Sequence, residues 1–264
     1  MAFILQYREP EPGHTSGPKE ITVRRAAASL ILLVGLIASA PSVQAQGFDG
    51  RVGAFLPRQR DCGIPSSVPA EYTLFQDVCE LYAVNKGAFD GVTGGAEFNH
   101  VVMKNVEVGI HFDYFSKTVD TFYRDYERPG GGNIYQTLRL QTWPLGLTVR
   151  IIPTSKRVKF APYIGGGVDA VFYHYEEYGD FIDFYDPTLA IHSDHFIDDG
   201  TAFGVHALGG FRYYFTRDFA FVGEAKYMWS GHDMHGDFSP NGPGLVNRID
   251  LSGWIFTGGF HVRF

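Results

Sequence analysis

Most of the chain consists of stretches in which hydrophobic and polar residues alternate, which is the period of a β-strand with a different environment on each face. The last such stretch, residues 249–264, shows the pattern most clearly. One face carries Trp254, Phe256, Phe260, Val262 and Phe264, and the other carries Thr257, Gly259, His261 and Arg263. These aromatic side chains are too many and too large for a narrow barrel interior, so we expect them to face lipid.

The same period of two predicts seven further strands. They cover residues 52–56, 92–99, 106–114, 134–151, 158–172, 203–215 and 219–229. The connections alternate between short ones (103–105, 153–157 and 216–218) and long ones (57–88, 116–133, 174–200 and 230–247). This alternation is typical of outer-membrane barrels. We therefore predict an all-β fold, an eight-stranded antiparallel transmembrane β-barrel with short periplasmic turns and four long extracellular loops. A soluble lipocalin-like barrel is the alternative fold.

Two local features lead to further predictions. In the fourth strand the apolar residues change from even to odd positions at Trp143. Such a change of phase needs an extra residue, and Pro144 cannot donate a hydrogen bond to a ladder, so a β-bulge is predicted there. Aromatic residues near strand ends are predicted to form interfacial girdles, and these are Trp143, Tyr173, Trp229 and Trp254.

The N-terminus carries the pattern of a secretory signal peptide. Arg24 and Arg25 precede a run of 15 apolar or small residues, 26–40, and small residues follow up to Ala45. This run is shorter than the ~20 residues that a membrane-spanning helix needs. We predict a signal peptide over 1–45, whose first 22 residues represent an overlong gene start, and an outer-membrane β-barrel over 46–264. An uncleaved membrane anchor is the alternative.

Composition narrows the function classes. The formal net charge of −7 argues against general nucleic-acid binding. The two cysteines, Cys62 and Cys79, lie in one polar segment. An exported chain passes through an oxidising compartment, so a disulfide between them is expected, with a two-cysteine metal site as the alternative.

Two sequence stretches are similar to those of a known family. They are Pro162-Tyr163-Ile164-Gly165-Gly166-Gly167-Val168, and Gly209-Gly210-Phe211-Arg212-Tyr213 continuing through Phe219 to Glu224-Ala225-Lys226-Tyr227. On these residues the chain resembles the OmpA-like superfamily of small outer-membrane barrels, over nearly all of 46–264. The resemblance implies the bacterial outer membrane, contact with its lipid, and assembly by the barrel-assembly machinery. Its recognition tail would be Phe260, Val262 and Phe264. A peptidoglycan-binding domain is not expected, so a wall-tethering role is not implied.

The polar faces of the predicted strands carry many charges. We place Glu97, Glu107, His111, Asp113, Arg150, Asp169, His206, Arg212, Glu224 and Lys226 inside the barrel. Eight strands enclose just enough space for side chains to fill, and buried charges need partners, so a paired polar network is expected. A gated, narrow ion path is the alternative.

Two predicted loops contain candidate ligands. His192, His195, His232 and His235 are weak metal candidates because histidine and carboxylate bind transition ions. However, a three-residue spacing brings two histidines together only on a helix, so solvated residues are favoured and no cofactor is expected. Residues 174–200 are acidic, lack Lys and Arg, and are rich in aromatic residues. An extracellular basic protein or glycan, or a weakly bound cation, is a candidate partner there, with a solvated loop as the alternative.

No catalytic motif is evident. Ser193 lies beside His192, and Ser230 lies near His232, but adjacency in sequence does not make a nucleophile–base pair. The sequence therefore favours a non-enzymatic outer-membrane barrel that presents extracellular loops, in envelope integrity, adhesion or surface interaction. A narrow small-solute or ion channel is the first alternative, and a lipid A-modifying enzyme is the second.

Overall fold

The protein is described by a computed structural model over residues 46–58, 73–153, 158–184, 186–235, 238 and 248–264. The predicted signal peptide and Cys62 lie outside these ranges, so both the cleavage and the disulfide stay predictions. Within the described ranges, no helix has the length and apolar content needed to cross a membrane.

The described chain forms strands almost throughout. Its elements are β1 (Gln46–Pro57), α1 (Leu74–Leu81), β2 (Gly91–Met103), β3 (Val106–Glu127), β4 (Asn133–Ile151), β5 (Phe160–Ile182), β6 (Ile191–Tyr214), β7 (Phe219–Asp233), β8 (Arg248–Asp250) and β9 (Gly253–Arg263).

The strands close into a ring of eight. Antiparallel neighbours follow chain order from β1 to β7, and β9 pairs with both β7 and β1. The short β8 pairs with the end of β7 and not with β1, so the last barrel strand starts at Gly253 rather than at residue 249. The predicted eight-stranded antiparallel barrel is confirmed.

The middle strands are longer than their sequence pattern predicts. β3 and β4 extend far into the predicted loop 116–133 and leave a turn of only residues 128–132. In the same way β5 and β6 take up most of 174–200 and leave only residues 183–190 between them. Most of these two predicted loops is therefore paired β-structure.

The environment on the two faces of β4 inverts along the length of the strand. In the lower part of β4, Val149 points outward at 49% exposure, while Arg150 points inward at 1%. In its upper part, Leu138 and Leu140 point inward and are fully buried, while Arg139 points outward. The lower barrel thus has an apolar exterior and a polar interior, and the upper barrel has the reverse.

The structure has no β-bulge at Pro144, and the inversion explains the change of phase from which that bulge was predicted. The β4–β5 register is continuous there, with Pro144 opposite Val171, and the β3–β4 register is also unbroken around it. The prediction was wrong because a change of phase among apolar residues was interpreted as a change of face. Side chains of β4 alternate between inside and outside without interruption. The inside changes from polar to apolar along the strand, and the outside changes from apolar to polar.

The inversion occurs at the same ladder position in neighbouring strands. Just below the boundary, where the exterior is apolar, Trp143 pairs with Phe172. Just above it, where the exterior is polar, Gln141 pairs with both Ser116 and His174. We call the β-structure above this boundary the crown. It comprises residues 116–141 and 174–200, together with α1 and residues 82–90.

An apolar core fills the crown. From inside, α1 contributes Phe75 and Val78, each 1–2% exposed, to a cluster that also contains Leu138 and Leu140. The chain after α1 runs along β3, where the amide of Ala83 donates to a β3 carbonyl. The barrel is therefore closed above the boundary by side chains packed against a helix.

One predicted girdle residue lies in the interior instead. Tyr173 is 2% exposed, and its hydroxyl donates a hydrogen bond to Asp198 at 2.7 Å. It faces inward because odd positions of β5 are the interior positions. Trp229 and Trp254 lie on the exterior, each 47% exposed and in ring contact with Tyr227.

Candidate functional site in the barrel lumen

An apolar belt surrounds the lower barrel. Its most exposed members are Val52, Val92, Ile164 and Phe203, which are 61–81% exposed. Soluble monomers rarely expose contiguous apolar surface on this scale. On a closed β-barrel with a charged interior, such a belt is a lipid-facing surface, so the protein lies in the bacterial outer membrane.

The lowest layer of the lumen is centred on Arg212. Its guanidinium donates two hydrogen bonds to Glu107, at 2.7 and 2.8 Å, and a third to Asp49 at 3.1 Å. Asp49 also accepts from Asn99 and contacts His261 at 2.5 Å. Because Arg212 is on β6 and Glu107 on β3, this ion pair crosses the lumen.

The middle layer is centred on two further arginines. Arg150 donates to both oxygens of Glu97, to Asn99 at 2.9 Å and to Glu224 at 2.9 Å. Arg51 contacts the same two carboxylates, Glu97 at 3.1 Å and Glu224 at 2.7 Å. Strands β1, β2, β4 and β7 are thereby linked through four charged side chains.

The upper layer lies just below the crown core. Lys226 donates to Asp113 at 2.7 Å. Beside this pair, Asp169 contacts His111 Nε2 at 2.9 Å and His206 Nδ1 at 2.6 Å. The hydroxyl of Thr148 lies 3.2 Å from His111 Nδ1 and 3.1 Å from His206 Nε2, so these four side chains form a ring of contacts.

The structure therefore places every residue of the predicted interior network in the lumen. Glu97, Glu107, His111, Arg150, His206, Arg212, Glu224 and Lys226 are each 1–6% exposed. Sequence reasoning missed Asp49, Arg51, Asn99 and His261 as members of this network. Asp49 was missed because β1 begins at Gln46, before the predicted strand. Its spacing of two residues from Arg51 already places both side chains on the same face of a strand.

A cavity of about 70 Å³ lies at the end of the barrel that carries the short turns, lined by Glu107, Arg212 and His261 among others. It ends at the lowest layer of the network. Above that layer, side chains occupy the lumen first as charged pairs and then as the crown core. The geometry supports a closed barrel.

The four histidines predicted as weak metal candidates do not converge. His195 contacts Glu176 at 3.1 Å, whereas the rings of His232 and His235 are tilted by 42°, with their centroids 5.5 Å apart. His192 lies on β6 with His195. Across the described ranges, the group of three histidine or carboxylate ligands close enough to hold an ion is instead His111, Asp169 and His206.

The acidic segment 174–200 is more ordered than a solvated loop. Glu176 accepts from Arg139, and Asp180 accepts from Arg128 and from the hydroxyl of Ser193. Of its aromatic residues, Tyr175 and Phe181 are buried and do not present contact area to solvent.

The carboxyl group of Glu177 is buried in the crown, with the residue 3% exposed. Burial raises the pKa of Glu177 to about 7, an effect that two tyrosine hydroxyls oppose by donating hydrogen bonds to the carboxylate. The donors are Tyr82, at 3.2 Å, and Tyr175, at 2.6 Å. The crown core therefore contains one acid that changes charge near neutral pH.

The residues of the predicted assembly tail lie on the outer face of β9. Phe260, Val262 and Phe264 are 54%, 41% and 66% exposed. Recognition by the barrel-assembly machinery stays a prediction.

Comparison with known proteins finds distant likenesses among solved structures. No family model and no curated protein matches the chain. Among solved structures, OprG from Pseudomonas aeruginosa is 13% identical with a TM-score of 0.48, covering 84% of this chain and 96% of that one. Neisserial surface protein A is 11% identical with a TM-score of 0.44, covering 83% and 97%. Escherichia coli outer membrane protein W is 15% identical with a TM-score of 0.43, covering 85% and 100%. Strand order, closure and the lipid-facing belt make the chain a small, eight-stranded outer-membrane β-barrel.

Proposed function

We propose that the protein is a closed, non-enzymatic outer-membrane barrel that presents its crown to the cell exterior, in envelope integrity, adhesion or surface interaction. The observation that carries this proposal is the double closure of the lumen. Arg150 and Arg51 bridge carboxylates from different strands, and the apolar crown core lies above them. A solute would have to break buried ion pairs and also displace α1.

The crown is suited to presentation because it is built from paired strands rather than loops. β5 and β6 remain hydrogen-bonded out to Ile182 and Ile191, and turns 128–132 and 183–190 form the tips. A surface that is already ordered loses little conformational entropy when it binds a partner. We infer that an extracellular protein or glycan contacts these hairpins.

Single-channel recording in planar bilayers tests the closure. Purified barrel should insert without producing discrete conductance steps, while a general porin in the same bilayer supplies the positive control. Reproducible ohmic steps from the wild-type protein would overturn the proposal and favour the narrow-channel alternative.

Cysteine labelling on intact cells tests the presentation. Glu127 is exposed at the end of β3 in the crown, and Arg217 is exposed in the short turn between β6 and β7. A membrane-impermeant maleimide should label Glu127→Cys on intact cells and label Arg217→Cys only after lysis. The opposite result would place the crown in the periplasm and refute the proposed role.

A further inference from the structure

The ring formed by Asp169, His111, Thr148 and His206 has the composition of a metal site. One nitrogen from each histidine and one carboxylate oxygen lie within 4.8 Å of one another. All three side chains are at most 1% exposed. Imidazole nitrogen and carboxylate oxygen are the ligands that zinc and similar first-row ions accept.

Charge balance makes Asp169 unusual in the lumen. Of the six lumen carboxylates, five form an ion pair with Arg or Lys, and these are Asp49, Glu97, Glu107, Asp113 and Glu224. In the part of the chain that the structure describes, Asp169 pairs only with His111 and His206. A buried carboxylate needs a compensating positive charge, and neutral imidazoles do not supply one.

The hydrogen-bond inventory leads to the same conclusion. If both imidazoles are neutral and donate to Asp169, their other nitrogens are acceptors, and the single proton of Thr148 can serve only one of them. A metal on the Asp169 side of the rings removes this conflict. Both far nitrogens then carry protons, and the two lone pairs of the Thr148 oxygen accept both.

The surrounding backbone is shaped to accommodate the ring. A Cβ atom at Gly146 would lie 2.4 Å from an Asp169 oxygen and 2.5 Å from His111 Cε1, and one at Gly167 would lie 2.8 Å from His206 Cε1. Ligand atoms around a tetrahedral zinc ion are about 3.3 Å apart, which follows from metal–ligand bonds of about 2.0–2.1 Å. The present contacts, 2.6 Å from His206 Nδ1 to one Asp169 oxygen and 2.9 Å from His111 Nε2 to the other, are shorter than this and would have to open by less than 1 Å.

We propose that His111, Asp169 and His206 bind one divalent transition-metal ion, of the class that includes zinc, inside the barrel, and that Thr148 positions both imidazoles. The ion completes the charge balance of the upper layer. This inference is independent of the presentation role of the crown.

Metal titration of untagged, refolded barrel tests the site. After treatment with chelator, wild-type protein should take up one equivalent of Zn²⁺, and Co²⁺ in its place should give visible d–d absorption. His206→Gln should weaken binding at least about tenfold, and Thr148→Val by about 10–100-fold, because loss of a group that orients the ligands has that effect. The matched control is His261→Gln, since His261 is also a buried lumen histidine on a carboxylate, and it should bind normally.

X-ray absorption of zinc-loaded wild-type protein provides a readout that does not depend on variants folding. It should show imidazole scattering and nitrogen or oxygen ligands at about 2.0–2.2 Å. Three results would each overturn the proposal. They are zinc uptake by the wild-type protein no greater than that by His206→Gln, a loss of binding in His261→Gln equal to that in His206→Gln, and a zinc spectrum without imidazole scattering. Absence of metal uptake together with an imidazolium signal in NMR would show that a proton supplies the charge instead.

Discussion

Replacement of Arg150 by methionine should destabilise the barrel strongly. The guanidinium is 1% exposed and donates to Glu97, Asn99 and Glu224. Arg150→Met keeps most of the side-chain volume but leaves two carboxylates buried with one cation, Arg51, between them. Breaking a buried pair by removing one partner costs about 3–5 kcal/mol, and the remaining contacts of Arg51 place the expected loss near 3 kcal/mol.

The matched control is Arg139→Met in the crown. Arg139 pairs with Glu176 at 3.1 Å, but its side chain is 42% exposed, so water screens the charge. Exposed pairs of this kind contribute about 0–1 kcal/mol. Both substitutions remove a guanidinium from β4, and they differ mainly in burial.

The assay is denaturant unfolding of the refolded barrel in lipid vesicles, followed by tryptophan fluorescence and by gel mobility with and without boiling. Trp143, Trp229 and Trp254 are on outward positions of the strands, so their emission reports loss of lipid contact. The double variant Arg150→Met/Glu97→Gln should recover part of the stability because it leaves Arg51 with one buried carboxylate instead of two. A loss for Arg150→Met no larger than that for Arg139→Met would refute the view that the network is a dry, paired core.

Three further predictions concern the crown and the packing of β1. Because burial raises the pKa of Glu177 from 4.5 to about 7, its contribution to stability is full below its unfolded pKa and is lost as the pH rises through about 7. Crown amides, corrected for intrinsic exchange, should therefore lose protection from hydrogen exchange between about pH 5 and about pH 8, and Glu177→Gln should remove most of that dependence. A Cβ at Gly53 would lie 1.8 Å from a carbonyl oxygen of β9, whereas one at Gly50 on the same strand would meet nothing closer than 3.9 Å. Gly53→Ala should thus cost about 1–3 kcal/mol or prevent folding, and equal unfolding midpoints for the two alanine variants would contradict this. Phe75→Ala should destabilise the crown by about 3–5 kcal/mol and open it to protease, while Lys86→Ala, an exposed control, should leave the cleavage rate unchanged.

The lower barrel could be predicted from the sequence because its two environments, lipid and a charged lumen, differ sharply in composition. The crown could not, although its strands have the same period. In β3, Val119 and Tyr123 face inward, whereas Thr118 and Asp120 face solvent. Polar residues at these outward positions are typical of loops only where the apolar face of a strand points outward, and in the crown that face points inward.

The candidate metal site lay beyond sequence reasoning for a different reason. His111, Asp169 and His206 were each placed in the lumen, but they belong to β3, β5 and β6. They meet only because Gly146 of β4 pairs with both His111 and Asp169, and Gly167 pairs with His206. Register across three ladders is set by turn geometry and packing, which a single sequence does not specify. The sequence signal for the site is the pair of inward-facing glycines, Gly146 and Gly167, which leave space beside the imidazole rings.

The boundary at which the strand faces invert also determines how deep the protein sits in the bilayer. Sliding the barrel outward by two residues, about 5 Å along the membrane normal for tilted strands, would expose Trp143 and Phe172 to water. Sliding it inward by the same distance would bring Gln141 and His174 into hydrocarbon. Both shifts are unfavourable, so the vertical position of the barrel is specified to within about one dipeptide repeat. The height at which the hairpin tips stand above the lipid headgroups is therefore a property of the chain itself, independent of any anchoring partner.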